Sequence, residues 1–210
     1  MTIDKYYNPS YSIRHMRGMK VLLFFFVSFA CVISCKSVAK KDSLGSDSLY
    51  VDITDSSKFV LLPTGGIVGA MDMVQFLSFE YGGQVYFFNA WVKANDNEIE
   101  MAFFNELGKS MGELSYRNGS ANFSSPIFQR FIIQFIKPEY IIADFQFCFY
   151  DPILLARSLK DIGLVLEASE NSRRIFSGNE VIIEIEKTNN AVKLVNNLRG
   201  YIYTLEGDFN

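Results

Sequence analysis

The chain has 210 residues, 49% of them hydrophobic and 15% aromatic, with 20 basic against 23 acidic side chains. That composition suits one globular domain with a proper core. The acidic balance, with no basic run longer than a pair such as Lys40-Lys41, excludes the electrostatic footprint of a nucleic-acid binder.

The first stretch of note lies at residues 21–34, an uncharged apolar run preceded by Arg14, Arg17 and Lys20. A basic lead, a short apolar run and a small residue at its end make a secretory signal peptide. At 1.5 Å per residue the run spans roughly 21 Å, short of the ~30 Å hydrocarbon core that a permanent transmembrane helix must cross. Residues 1–18 contain Tyr6, Tyr7, Asn8, Pro9 and Tyr11 with no period, so either the n-region is long or translation starts at Met16 or Met19. Residues 1–34 are therefore set apart from the fold.

Val32-Ile33-Ser34-Cys35 closes the run and resembles a bacterial lipobox. The resemblance implies cleavage before Cys35 and a lipid on its thiol. Two or three acyl chains anchor a protein stably, at ~0.8 kcal/mol per buried CH₂. Lys36 follows where an Asp would resemble an inner-membrane retention signal. The expected address is the bacterial cell envelope, lipid-anchored, on the outer membrane facing the periplasm.

Removing residues 1–34 takes with it Asp4, four basic side chains and His15, the only histidine, leaving 16 basic and 22 acidic groups and a net charge of −6. Without histidine there is no His general base, no Ser-His-Asp triad and no His-ligated zinc. Cys31 leaves with the signal and Cys35 is lipidated, so Cys148 stands alone, without a disulfide partner or a metal cluster. Set in Phe145-Gln146-Phe147-Cys148-Phe149, it reads as a small buried apolar residue. There is no G-x-S-x-G, P-loop or G-x-G-x-x-G, and Glu184 and Glu186 share the polar face of a strand rather than forming an acid/base pair. No catalytic residue, metal or cofactor is expected, and the chain is not read as an enzyme.

Residues 35–57, rich in Ser, Asp and Lys, read as a lipidated Cys and flexible tether, and residues 58–210 as a single domain. A short apolar run at 59–62 is followed by the Pro63-Thr64-Gly65-Gly66 turn. Residues 71–81 alternate, with Met73, Leu77 and Phe79 on one face and Asp72, Ser78 and Glu80 on the other. Gly82-Gly83 turns the chain into a strand at 84–94. Asn95-Asp96-Asn97 turns it into a strand at 98–103, with Ile99, Met101 and Phe103 inward. Residues 113–117 and 120–124 form a hairpin about Asn118-Gly119.

The period then changes. Pro138 and Glu139 open a helix with Ile141, Phe145, Cys148 and Phe149 on apolar stripes and Asp144 facing away. Asp151 caps a second helix, which carries Leu155, Leu159 and Ile162 and ends at Gly163. Strands resume at 164–168, 173–176, 180–187, 191–196 and 198–205. The fold class is mainly β (α+β): a strongly curved antiparallel sheet with a helical insertion across one face or plugging a barrel mouth.

Several short motifs, taken in order, carry a resemblance. They are Phe88-Asn89-Ala90-Trp91-Val92, Leu107-Gly108, and Leu114-Ser115-Tyr116-Arg117-Asn118-Gly119. After these come Pro138 with Ile141-Ile142-Ala143-Asp144-Phe145-Gln146, then Leu154-Leu155, and an Arg-plus-aromatic strand over residues 198–203. Over nearly all the mature domain the chain resembles an uncharacterised bacterial envelope lipoprotein family, often encoded near aryl-polyene or other lipid biosynthesis genes. That family is similar in architecture to the lipoprotein carriers LolA and LolB.

The resemblance implies a curved, half-open β-barrel, LolA/LolB-like, with helices as a lid over an apolar cavity of a few hundred Å³ for acyl chains. Phe79, Phe88, Val92, Ile99, Met101, Phe103, Leu114 and Tyr116 are candidates to line it, with Ile141, Phe145 and Phe149 closing it. A solid core of the same residues is the competing expectation. Trp91 shares a polar face with Asn89 and Lys93, either as a membrane or partner contact or beneath the tether.

Two functions follow as expectations. One is a lipid-anchored binding module for a lipid, acyl chain or polyene. The other is a structural or interaction protein with a filled core that docks on an envelope complex. The membrane is reached through Cys35, a hydrophobic small molecule is the expected ligand, and no protein partner is named.

Overall fold

In a computed structural model of the chain, residues 49–125 and 137–209 are described. Cys35, the signal segment and most of the expected tether lie outside them. Two short strands, β1 (Tyr50–Asp52) and β2 (Lys58–Val60), form a small antiparallel ribbon. A 3-10 turn at Thr64–Gly66 leads into β3 (Met71–Tyr81), β4 (Gln84–Ala94), β5 (Ile99–Phe104), β6 (Ser110–Arg117) and β7 (Ser120–Ser124). Then come α1 (Pro138–Phe149) and α2 (Pro152–Asp161). The chain ends with β8 (Leu164–Ala168), β9 (Ser172–Ser177), β10 (Glu180–Lys187), β11 (Ala191–Asn196) and β12 (Tyr201–Glu206).

The last ten strands make one antiparallel sheet in the order β7-β6-β5-β4-β3-β12-β11-β10-β9-β8. It is two meanders joined side by side at β3 and β12, where Phe79 faces Tyr203 and Leu77 faces Leu205. β7 and β8 remain edges, so the sheet curves without closing into a barrel. The hairpins follow from local chemistry. Asn118 and Gly119 both take positive φ, at 50° and 77°, as a two-residue turn matched to strand twist requires. Asp151 accepts from the backbone N–H groups of Ile153 and Leu154 at 2.8 and 2.9 Å and caps α2, and Pro138 opens α1.

From Ile142 to Phe149 every residue of α1 is buried. A helix apolar all round must be covered on all sides. The sheet covers one side; on the other, Phe59 of β2 meets Phe147 with ring centroids 5.0 Å apart. Gln146 ties helix to ribbon by acting as a strand would. Its Oε1 accepts from Leu62 N–H at 2.9 Å and its Nε2 donates to Leu62 C=O at 2.8 Å and Tyr150 Oη at 3.2 Å. The Tyr116 hydroxyl donates to the same carbonyl at 3.0 Å.

Four expectations are corrected here. The stretch read as tether to residue 57 contains β1, with Val51 and Ile53 in the core, because alternation over so short a strand is hidden among Ser and Asp. The last strand begins at Tyr201, since Asn196 accepts from the backbone N–H of Arg199 and holds a turn there. Asp144 does not face away: it is buried against the sheet. The strand expected from residue 113 starts earlier, at Ser110, after an irregularity in the β5–β6 register.

Gly66 sits where the 3-10 turn passes the α1–α2 corner, its carbonyl accepting from Asp151 N–H at 2.8 Å. A Cβ there would lie 2.6 Å from the Tyr150 ring and 2.8 Å from Leu154 Cδ2. Gly66→Ala is therefore expected to cost about 2 kcal/mol by overpacking. Urea unfolding should show a lower midpoint with an unchanged slope.

Candidate functional site: an apolar hollow under the first helix

Alternation points one side chain in two toward α1 along each strand. On β4 the inward set is Phe88, Ala90 and Val92; on β5 it is Met101 and Phe103; on β3 it is Gln75, Leu77 and Phe79. Phe123 of β7 and Tyr201, Tyr203 and Leu205 of β12 extend the surface sideways. α1 supplies the roof through Ile141, Asp144, Phe145 and Phe149. Between roof and floor lies a hollow of about 100 Å³; counted out to its open mouth, the space is about 840 Å³.

Eight of the eleven expected lining residues are thus brought together: Phe79, Phe88, Val92, Met101, Phe103, Ile141, Phe145 and Phe149. Ile99, Leu114 and Tyr116 do not line it. All three are buried: Leu114 packs between Met101 and Phe123, and Tyr116 is spent on the Leu62 carbonyl. The enclosed space is smaller than a few hundred Å³ because aromatic rings occupy much of it; Phe145 and Phe149 pack at 4.9 Å. Cavity and filled core are both partly present. Inward residues of β4 grow more exposed toward the β3–β4 hairpin, from Ala94 at 0% to Tyr86 at 39%, which puts the mouth at that end among the described residues.

The polar groups at the hollow are few. Asp144 Oδ2 accepts from the Tyr201 hydroxyl at 2.5 Å, and Tyr201 Oη accepts from Asn196 Nδ2 at 3.1 Å. Burial raises the Asp144 carboxyl to about 7, against the opposing pull of the Tyr201 hydrogen bond and the Arg199 charge. Arg199 itself stacks over Tyr140 at 3.7 Å and donates to the Asp52 carbonyl. Cys148 Sγ lies 3.3 Å from Tyr203 Oη, and burial pushes its thiol up to about 12, which makes it a poor nucleophile. Arg173, its charge disfavoured by burial, donates to the Phe147 carbonyl at 2.9 Å.

Gln75, Leu77, Ala90, Phe123, Asp144, Tyr201, Tyr203 and Leu205 complete the hollow without having been singled out as site residues. Strand parity carries the signal for several: Gln75 shares its face with Met73 and Leu77, and Tyr201 and Tyr203 share theirs with Leu205. Asp144 is three residues from Ile141 and four before Cys148, on the same helix stripe.

Trp91 is half-buried on the convex face, opposite Val74, and its Nε1 donates to Asp72 Oδ1 at 2.8 Å. On the same face Val74 lies opposite it and Phe76, Val85 and Phe87 follow toward the β3–β4 hairpin, all exposed, and the rings of Phe76 and Phe87 stack at 5.7 Å. Among the described residues no helix is long and apolar enough to cross a membrane.

Residues 72–206 match the model of a family described as "Protein of unknown function (DUF3261)". No curated protein matches the chain.

Proposed function

Because the chain belongs to the DUF3261 family of unknown function, we propose its role from the hollow: it binds or passes on a hydrophobic ligand, such as a lipid, an acyl chain or a polyene. In this reading it is a binding module of the bacterial envelope, anchored by a lipid on Cys35 at the outer membrane and facing the periplasm. It is a half-open LolA/LolB-like carrier and not an enzyme. The observation that carries the reading is the almost wholly apolar lining of a hollow that opens to solvent. Dry apolar cavities of this order accept apolar guests. Each methylene taken from water contributes about 0.8 kcal/mol.

Val92 lines the hollow and is buried. Val92→Phe fills the free space without adding a polar atom. It is expected to weaken uptake of a fluorescent fatty-acid probe at least tenfold while leaving the thermal midpoint within a few degrees of the native value. Undiminished uptake would sink the carrier reading.

A second reading rests on a separate observation, the exposed apolar patch of Val74, Phe76, Val85 and Phe87 beside Trp91. A patch of this kind on a convex sheet face suits docking onto a complex in the envelope. Replacing Phe76 and Phe87 with serine separates the two: docking is lost and probe uptake is kept.

A further inference from the structure

The deep end of the hollow holds a polar group that no described residue satisfies. Gln75 is 1% exposed and lines the hollow, and among the described residues its Oε1 has no hydrogen-bond partner. Among the described residues its Nε2 reaches only Met71 Sδ at 3.9 Å, a long contact to a weak acceptor. A buried carbonyl left without a donor destabilises the fold, and an apolar side chain there would avoid that cost. The surroundings leave the amide room. Its cross-strand neighbour is Ala90, and on the other side lies Gly207, where even a Cβ would come within 3.3 Å of Gln75 Cγ.

The Asp144–Tyr201 pair cannot serve it. Tyr201 pairs with Tyr81, six residues along β3 from Gln75 and therefore about 20 Å away along the strand. The two polar groups mark opposite ends of an otherwise apolar floor, Gln75 deep and Tyr201 toward the mouth.

We infer that Gln75 is the head-group acceptor of the hollow, and that the ligand is an apolar chain ending in one uncharged hydrogen-bond donor, a hydroxyl or an un-ionised carboxyl. This rests on the carrier reading and specifies its ligand class. A charged head group is disfavoured because no side chain of opposite charge lines the deep end among the described residues, and an unpaired buried charge is far costlier than an unpaired amide. A ligand hydroxyl donates to Oε1 and accepts from Nε2, satisfying both halves of the amide at once.

The test is displacement of a fluorescent fatty-acid probe from the full-length chain by dodecanol and by dodecyl methyl ether, which differ in one hydrogen-bond donor. The native protein is expected to prefer the alcohol about tenfold, the worth of one buried hydrogen bond. Gln75→Leu is expected to bind the two within about twofold and to melt no lower than the native protein; Gln75→Met, of similar volume, repeats the test if leucine disturbs the strand. A native protein indifferent to the donor, or a preference that survives both substitutions, overturns the inference and leaves the carrier reading standing. Failure of both compounds and of the probe to bind overturns the two together.

Discussion

Asp144→Asn is expected to abolish a fall in stability that the native protein shows between about pH 4 and pH 7. The native carboxyl titrates near 7 because α1 and β12 bury it, whereas in the unfolded chain it titrates near its ordinary value. Between those limits the folded state holds a proton that the unfolded state has released. Proton binding is then greater in the native state, so stability declines as pH rises. The contribution is fully present below about pH 4 and lost by the time pH passes 7. Its size is on the order of 4 kcal/mol across the window.

Asparagine keeps an acceptor for the Tyr201 hydroxyl without any titration. Urea midpoints of native and variant protein, taken from pH 4 to pH 8, should therefore converge at the acid end and separate at the alkaline end, with the variant the more stable there. Parallel curves would show that Asp144 is solvated and that α1 does not seal this part of the hollow.

The second large effect is expected at Gln146. Its amide makes three hydrogen bonds inside the protein, two of them to the backbone of Leu62. Gln146→Met keeps the volume and removes every one of them. Leu62 C=O retains the Tyr116 hydroxyl, but the N–H that Oε1 accepted from is left unmatched. A loss of about 3 kcal/mol is expected, from one orphaned donor and the lost amide bonds. Tyr116→Phe serves as the control: Gln146 still holds the carbonyl, so the cost should stay near 1 kcal/mol. Equal effects of the two substitutions would contradict the view that Gln146 is the tie between α1 and the β1–β2 ribbon.

Much of the sheet was legible because its strands obey a period of two and its turns use residues that tolerate positive φ. β4, β7, β10 and β11 fall where alternation and the Gly or Asn turns place them. β1 was not legible: three residues carry too little alternation, and only the burial of Val51 and the contact of β1 with α1 reveal them. Asp144 was misplaced because a carboxylate on an apolar helix is ordinarily sent to solvent. Here Tyr201 and Asn196 make its burial tolerable, and both come from strands more than fifty residues away. Of the hollow, only some of the residues set by strand parity are legible; Ile99 and Tyr116 have the right parity but lie beyond the lining along their strands, and Leu114, opposite Met101 and Phe123, is fully packed instead of lining the space. Parity gives the face and not the position along it. Gln75 is not legible for the opposite reason: it is a polar residue on an apolar face whose isolation only three-dimensional neighbours disclose.

The central claim, that the hollow carries a hydrophobic ligand, meets its most direct test in native mass spectrometry of the full-length protein purified from envelope-containing bacterial cells, followed by organic extraction. A reproducible added mass is expected, recovered in the extract as a chain-bearing amphiphile and absent from Val92→Phe. A clean ligand-free mass, together with no uptake of added fatty acid, would contradict the claim and turn attention to the convex patch around Trp91.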